Sequence, residues 1–233
     1  MSMLQGVCGL VGRICELITR AISWSISLNR DRELPWRVEK DPYKILVAEL
    51  LLRRTQGEKV VPVYLELVRR YPTPQALALA SIDELRKILQ PLGLHNTRAR
   101  ELKELGRVLV ERYGGEVPRE LNELLSLPGV GEYVARAVRV LAFNFKDPLV
   151  DTNIIRVISR ISGIELKQQN PKHVKFVHNV LSRVIEMFPD AKRANLALLD
   201  FAAVICKARN PRCSECFARD LCATYAKCVK STK

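Results

Sequence analysis

The chain has 233 residues, of which 48% are hydrophobic, so it is long enough for one large domain or two small lobes around a core. Its formal net charge is +13 and its pI is about 9.7. Such an excess favours a polyanionic partner, and nucleic acid before a membrane surface. No segment has the uncharged apolar run of a membrane span or a secretory signal. We therefore predict an intracellular protein, cytoplasmic or nucleoid-associated, with no membrane partner.

Helix signals follow one another along the chain, and no window shows the sustained period-two alternation of strands. The apolar stretch 1–26 carries charges at helical spacing and predicts an amphipathic helix. Later helices are predicted to begin after Asp41-Pro42 (Tyr43–Arg54), Thr73-Pro74, a Ser81/Glu84 capping box (Leu85–Leu89), Asn96, Asn170-Pro171 and Asp190 (Ala191–Cys206). The helix that starts at Asn96 is predicted to stop at Gly114-Gly115. The predicted fold class is all-α.

A glycine-containing turn separates a helix predicted over Leu121–Ser126 from one that begins near Glu132. The turn reads Leu127-Pro128-Gly129-Val130-Gly131, and its two glycines allow a tight backbone bend. Such a bend exposes a row of amide N–H groups at a helix N-terminus, which is an anion site suited to one DNA phosphate. Arg136 follows on the second helix and is expected to contribute to DNA binding. On the pentapeptide alone, an ordinary helix–helix connector competes with this interpretation.

Five of the seven cysteines are crowded towards the end of the chain. In a chain without a secretory signal, such crowding indicates metal ligands rather than disulfides. Four cysteines form the pattern C-x6-C-x2-C-x5-C: Cys206, Cys213, Cys216 and Cys222. Four thiolates can bind zinc or an iron–sulfur cluster, and the spacing does not choose between them. Cys8 and Cys15 are interpreted as inert buried thiols, and Cys228 as a free or buried thiol outside the pattern.

Three motifs in this order and spacing resemble the helix–hairpin–helix DNA glycosylases of the endonuclease III superfamily. The motifs are Leu127–Tyr133, Val150-Asp151-Thr152-Asn153 and the cysteine cluster, and the resemblance runs from about Leu34 to Cys222. It implies two helical lobes that flank a DNA-binding cleft. One lobe is a six-helix barrel over residues 35–145 with the hairpin, and the other combines residues 1–34 and 146–233 with the cluster loop 206–222. The resemblance also implies a [4Fe–4S] cluster before zinc, mismatched double-stranded DNA as the partner, and a monomer.

Two residues near these motifs are the predicted centre of the chemistry. Asp151 is expected to cap the helix Ile154–Ile161, and the resemblance makes it catalytic as well. It would stabilise the positive charge that develops on the sugar as the base leaves, or activate the attacking water. Tyr133 stands where bifunctional family members have a lysine nucleophile, and tyrosine cannot form a Schiff base. A tyrosine at this position resembles the thymine glycosylases that are specific for G·T mismatches. The alternative interpretation is a half-buried aromatic residue with its hydroxyl in water.

The segment Leu46–Thr55 contains one acid, Glu49, in an otherwise apolar helix. The residues alone suggest an i,i+4 ion pair between Glu49 and Arg53. By resemblance, adenine glycosylases have a catalytic glutamate here followed by two glutamines, whereas Arg53 and Arg54 resemble the thymine branch. Glu49 is then predicted to contact the thymine edge or to order water, and Arg53 to fill the hole left by the flipped base.

The turn after residue 92 is a second predicted DNA contact, made by Leu94 and His95. The resemblance makes Leu94 an apolar wedge between bases, and the alternative is a hydrophobic staple on the following helix.

We therefore predict a monofunctional DNA glycosylase that removes thymine or uracil mispaired with guanine, the first step of base excision repair. One alternative is an adenine-DNA glycosylase acting on adenine opposite guanine or oxidised guanine. Those enzymes carry a further domain after the cluster, and only eleven residues follow Cys222 here. Another alternative is a non-catalytic helix–hairpin–helix module, against which Asp151 argues. The predicted DNA contacts are Leu127, Gly129, Val130, Gly131, Arg53, Arg54, Leu94, His95 and Arg136.

Overall fold

The computed structural model describes residues 3–28 and 34–226, with side chains from residue 9 onward. Over these ranges the secondary structure is helical and contains no strand, which confirms the predicted fold class. Within them, no helix combines the length and the apolar run needed to cross a bilayer. The chain divides into two compact units, here called the split unit (Met1–Asn29 with Lys146–Lys233) and the continuous unit (Arg30–Phe145).

The continuous unit is built from helices that bury their apolar faces on one another. Its helices are α2 (Pro42–Leu52), α3 (Gly57–Arg70), α4 (Pro74–Ala78), α5 (Ile82–Leu89), α6 (His95–Tyr113), α7 (Leu121–Leu125) and α8 (Glu132–Phe143). Helix α2 has eight of its eleven residues buried. Helices α4 and α6 approach so closely that a Cβ on Gly106 would lie 2.6 Å from the backbone nitrogen of Ala78.

The split unit is formed by the first helix of the chain and the last three. Its helices are α1 (Met3–Ser25), α9 (Thr152–Ser162), α10 (Pro171–Glu186) and α11 (Ala191–Val204). Leu17 and Ile18 of the amphipathic helix α1 are fully buried in this core. On its polar side, Arg20 donates to both carboxylate oxygens of Asp220, at 2.8 and 3.0 Å. These contacts attach α1 to the segment that carries the cysteines.

Four of the predicted helix starts are confirmed by their side-chain caps, whereas one predicted capping box is absent. Asp41, Thr73, Asn170 and Asp190 each accept a hydrogen bond from a backbone N–H in the first turn of the helix that follows. The capping box at Ser81 does not form, because the Ser81 side chain makes no capping bond. Its intended partner Glu84 accepts from the Tyr71 hydroxyl at 3.1 Å instead. A long-range hydrogen bond has displaced the local one.

The longest helix of the continuous unit starts one residue earlier than predicted, at His95 rather than Asn96. Its N-cap is Leu94, whose backbone is left-handed with φ +52°. Its predicted end is confirmed, since Gly114 adopts φ +62° and its N–H bonds to the carbonyl of Leu109. Glycine suits that end because it has no Cβ to clash in the left-handed region.

Candidate active site and metal centre

The hairpin of the continuous unit is a tight turn between α7 and α8 that requires only one of its two glycines. Gly129 has φ +74°, and a Cβ there would lie 3.0 Å from Glu101 Oε2. Gly131 is extended and has open space around it. The side chains of Leu127 and Val130 are buried, and the Val130 N–H donates to the Leu127 carbonyl at 3.1 Å. These residues can therefore reach a ligand through their backbone.

The N-terminus of α8 has the geometry of an anion site. Gly131 is its N-cap and has no side chain to cover the first amides of the helix, which carry the positive end of the helix dipole. Arg136, one turn on, is engaged with Glu132 through a bond of 2.8 Å from its Nε. A DNA contact by Arg136 remains a prediction, and it requires a phosphate to replace Glu132 as the partner.

The two arginines after α2 have different surroundings. Arg53 donates to the Gly129 carbonyl at 2.9 Å, donates to the Leu50 carbonyl at 3.2 Å, and is ion-paired with Glu101. The predicted pair between Arg53 and Glu49 is therefore wrong, because the hairpin and Glu101 take the guanidinium. Arg54 is exposed, has φ +58°, and makes no hydrogen bond or ion pair within residues 34–226.

The sequence analysis missed a buried arginine beside these two. Arg98 is 4% exposed and donates to the carbonyls of Leu50 at 2.9 Å and Arg53 at 2.7 Å. It lies four residues before Leu102, on the apolar face of α6. A cation on the apolar face of a helix is the signal that could have found it, since such a charge is buried only with compensating partners.

Leu94 projects into solvent at the turn before α6. Its side chain is 64% exposed, so the interpretation as a hydrophobic staple is wrong, because a staple packs against its own helix. His95 next to it is half-buried. An exposed leucine held in a left-handed conformation is unusual, and such backbone strain concentrates at functional sites.

Glu49 is a buried carboxyl group on α2, with 6% of its surface exposed. Burial raises the pKa of the Glu49 carboxyl from its ordinary value of 4.5 to about 7, and the positive charge of Arg37 opposes this rise. A carboxyl with a pKa near 7 can give or take a proton under physiological conditions. Tyr133 belongs to the same unit and is half-buried in the first turn of α8.

Asp151 lies in the split unit and is held in a fixed orientation. As predicted, it caps α9, with its Oδ1 accepting from the Ile154 N–H at 2.7 Å. Its Oδ2 accepts from the Asn153 side-chain amide at 2.8 Å. The side-chain oxygen of Asn153, Oδ1, in turn accepts from Arg156 at 2.7 Å. Arg156 also donates to the backbone carbonyl of Cys206 at 3.0 Å. A continuous chain of hydrogen bonds thus joins the Asp151 carboxylate to the first cysteine of the cluster loop.

The four clustered cysteines are free thiols around one cavity of about 330 Å³ in the split unit: Cys206, Cys213, Cys216 and Cys222. Arg160 borders this cavity and donates to Cys206 Sγ at 3.4 Å. Burial raises the pKa of the Cys216 thiol, and the neighbouring cysteine thiolates raise it further. Cys15 is partly buried and packs against the core of this unit. The side chain of Cys8 and all of Cys228 lie outside the described residues.

The positions of the four thiols bear on the kind of metal centre that they can bind. In the part of the chain that the structure describes, no three His, Cys, Asp or Glu side chains form a group arranged to hold a metal ion. All four thiols nevertheless border the same cavity. Four thiolates that border one cavity can bind zinc or an iron–sulfur cluster.

Comparison with known proteins shows the family to which the chain belongs. A family model described as HhH-GPD superfamily base excision DNA repair protein matches residues 47–194. The chain belongs to this superfamily. It is 42% identical over 215 residues to the thymine-DNA glycosylase of Aeropyrum pernix, with 92% of this chain and 96% of that protein covered.

Further relatives agree with this assignment. The chain is 43% identical over 199 residues to the thymine/uracil-DNA glycosylase of Pyrobaculum aerophilum, covering 84% and 86% of the two chains. The solved structure of a thermostable thymine-DNA glycosylase matches with a TM-score of 0.80 at 34% identity, covering 98% of this chain and 100% of that one. The resemblance predicted from the hairpin, Asp151 and the cysteines is confirmed, and the chain is a base excision repair glycosylase.

Proposed function

We propose that the protein removes thymine or uracil mispaired with guanine from double-stranded DNA and leaves the strand intact. The observation that carries the proposal is Tyr133, which lies two residues after Gly131 of the hairpin, in the first turn of α8. It offers a phenol rather than an amine, so no Schiff base can form with the sugar at this position. The names of the relatives from Aeropyrum pernix and Pyrobaculum aerophilum support thymine and uracil as substrates.

In the proposed reaction, the target nucleotide leaves the duplex so that its sugar faces the Asp151 carboxylate. The carboxylate stabilises the positive charge that develops at the anomeric carbon as the N-glycosidic bond breaks. The base leaves with the bonding electron pair as the N1 anion; water adds to the anomeric carbon, its proton passes to the carboxylate, and the base then takes up a proton to leave as the neutral pyrimidine. The hydrogen bonds from Ile154 and Asn153 hold both oxygens of Asp151 in place before the substrate arrives, which favours the developing charge without reorganisation.

Glu49 is proposed to recognise the base. Its pKa near 7 leaves a large fraction protonated at neutral pH, so that the carboxyl O–H can donate to a carbonyl oxygen on the thymine or uracil edge. A buried hydrogen-bonding group discriminates strongly between bases, because a base without the matching acceptor leaves the group unpaired. That Glu49 and Asp151 meet the same nucleotide is part of the proposal.

We assign to Arg54 the role that the sequence predicted for Arg53. Arg53 already has hydrogen-bonding partners in the hairpin, whereas Arg54 is exposed. Arg54 is proposed to enter the space left by the flipped base and to bond the orphaned guanine, since arginine pairs well with guanine edges. Leu94 is proposed as the apolar wedge on the other strand. The hairpin amides of Gly129, Val130 and Gly131 then hold a phosphate.

The four cysteines are proposed to hold a [4Fe–4S] cluster. The cavity that all four thiols border supports a metal centre there, and the resemblance to the endonuclease III superfamily supports a cluster over zinc. When bound, the cluster supplies four covalent attachments that fix the loop 206–222, and the hydrolysis of a glycosidic bond is redox-neutral. Arg160 and Arg156 connect this loop to α9 and to Asp151. We further propose that the protein acts as a monomer on double-stranded DNA.

The experiment is a single-turnover panel of duplexes with G·T, G·U, A·G and A opposite 8-oxoguanine, each analysed with and without alkali. We expect release of thymine and uracil, and strand breaks only after alkali. Adenine release would establish the adenine-glycosylase alternative, breaks without alkali would remove the monofunctional claim, and no release from any duplex would favour a binding module. Asp151→Asn keeps the helix cap, because asparagine caps as well as aspartate, and should abolish release without unfolding the protein.

A further inference from the structure

One buried guanidinium connects two turns of the continuous unit that each carry an exposed residue with a left-handed backbone. Arg54 has φ +58° and Leu94 has φ +52°. The carbonyl of Arg53, just before the first, accepts from Arg98 Nη2 at 2.7 Å. The carbonyl of Gly93, just before the second, accepts from Arg98 Nε at 3.2 Å. Two turns 40 residues apart in the sequence therefore share a single side chain as their hydrogen-bond donor.

The other bonds of Arg98 bind it to the end of α2. Its Nη1 donates to the carbonyls of Leu50 at 2.9 Å and Leu51 at 3.2 Å, and its Nη2 also donates to Thr55 Oγ1 at 3.1 Å. Carbonyls in the last turn of a helix lack intrahelical partners and carry the negative end of the dipole. All of these acceptors are neutral oxygens, so no carboxylate bonds directly to Arg98, although the nearby charge of Glu101 also favours its cation.

The geometry also explains why this residue is an arginine. A guanidinium presents five N–H donors in a rigid plane and can bond to acceptors on several sides at once, whereas an ammonium concentrates three donors on one atom. A lysine at position 98 can satisfy the end of α2 or the Gly93 carbonyl, but it cannot join them as a planar fork does. The left-handed backbone at Arg54 and Leu94 persists only where the surroundings impose it.

We propose that Arg98 is a positioning residue that makes the Arg54 and Leu94 turns one rigid wedge, so that the two side chains enter DNA together. The proposal rests on the DNA-inserting roles assigned to Arg54 and Leu94 under the proposed function. It adds that the two insertions are energetically coupled and that the coupling is mediated by Arg98, which itself touches no DNA.

The test is a double-mutant cycle on DNA binding. The probe is a duplex with a tetrahydrofuran abasic analogue opposite guanine and 2-aminopurine as the base next to that guanine, so that wedge insertion changes the fluorescence whatever base the enzyme excises. Dissociation constants are measured for Arg54→Ala, Leu94→Ala and the double variant. We expect the combined loss of affinity to fall short of the product of the single losses by about fivefold, as for coupled neighbours.

The same cycle is then repeated in an Arg98→Lys background. We expect the two losses to multiply to within about twofold there, which is the behaviour of independent sites. Arg112→Lys is the matched control, because Arg112 lies on the same helix about 21 Å away and is exposed; the coupling should persist in it. A general loss of stability would weaken binding without removing the coupling, so the cycle separates positioning from folding.

Thr55→Val provides a milder second perturbation if Arg98→Lys is unfolded at the assay temperature. It removes one acceptor of Arg98 and should reduce the coupling in part. Persistence of the full coupling in the folded variant overturns the proposal, and so does its absence in the wild type. Failure of the proposed function is a separate result, because it is read from base release on the G·T and G·U duplexes and not from the abasic probe.

Discussion

The buried carboxyl of Glu49 gives the protein a measurable dependence of stability on pH. Its pKa is about 7 in the folded protein, against an ordinary value of 4.5. The folded state therefore binds more protons than the unfolded state between these values, and the free energy of unfolding falls as pH rises. The contribution is fully present below about pH 4.5 and is lost as pH rises through about 7. The difference between the two pKa values corresponds to about 3 kcal/mol of unfolding free energy in total.

Replacing Glu49 by glutamine removes this titration and keeps the shape of the side chain. Between about pH 5 and pH 8.5, we expect the wild type to lose about 2 to 3 kcal/mol more unfolding free energy than Glu49→Gln. Urea unfolding followed by circular dichroism at several pH values measures the difference. Glu116→Gln is the control, because Glu116 is exposed and its replacement should leave the profile unchanged. Parallel profiles for the wild type and Glu49→Gln would refute the reasoning.

Three further predictions concern the site. Tyr133→Lys supplies an amine beside the hairpin, and we expect a covalent complex with substrate DNA that borohydride traps. If Tyr133→Lys still excises the base but gives no trapped complex, residue 133 does not reach the sugar. Asn153→Ala removes the donor to Asp151 Oδ2 and the acceptor of Arg156, and should lower the single-turnover rate by about tenfold or more with DNA affinity unchanged. An unchanged rate would mean that the Ile154 N–H alone orients Asp151. Cys216→Ser should lower the iron and sulfide content from about four of each per chain. The control Cys15→Ser should leave that content intact. Zinc in the purified protein would contradict the cluster assignment.

Local signals in the sequence predicted much of the helical structure. The caps at Asp41, Thr73 and Asp190 form as predicted, because a capping side chain and the amides that it covers lie within a few residues of each other. The capping box at Ser81 fails for the opposite reason. Glu84 can accept a hydrogen bond from a nearby backbone N–H or from the Tyr71 hydroxyl, which is distant in the sequence. Only the packing of α5 against α3 brings that hydroxyl within hydrogen-bonding distance.

The same distinction applies to the site. The sequence by itself determined the helical class, the superfamily, the cap at Asp151 and the residue types that limit the chemistry, because these depend on residue identity and short spacing. The tertiary structure decided which arginine is available to DNA, since Arg53 is held by Gly129 and Glu101, which are distant in the sequence. It also decided the raised pKa of Glu49 and the central place of Arg98. Burial and long-range hydrogen bonds depend on which segments meet in the folded chain, and no local pattern contains that information.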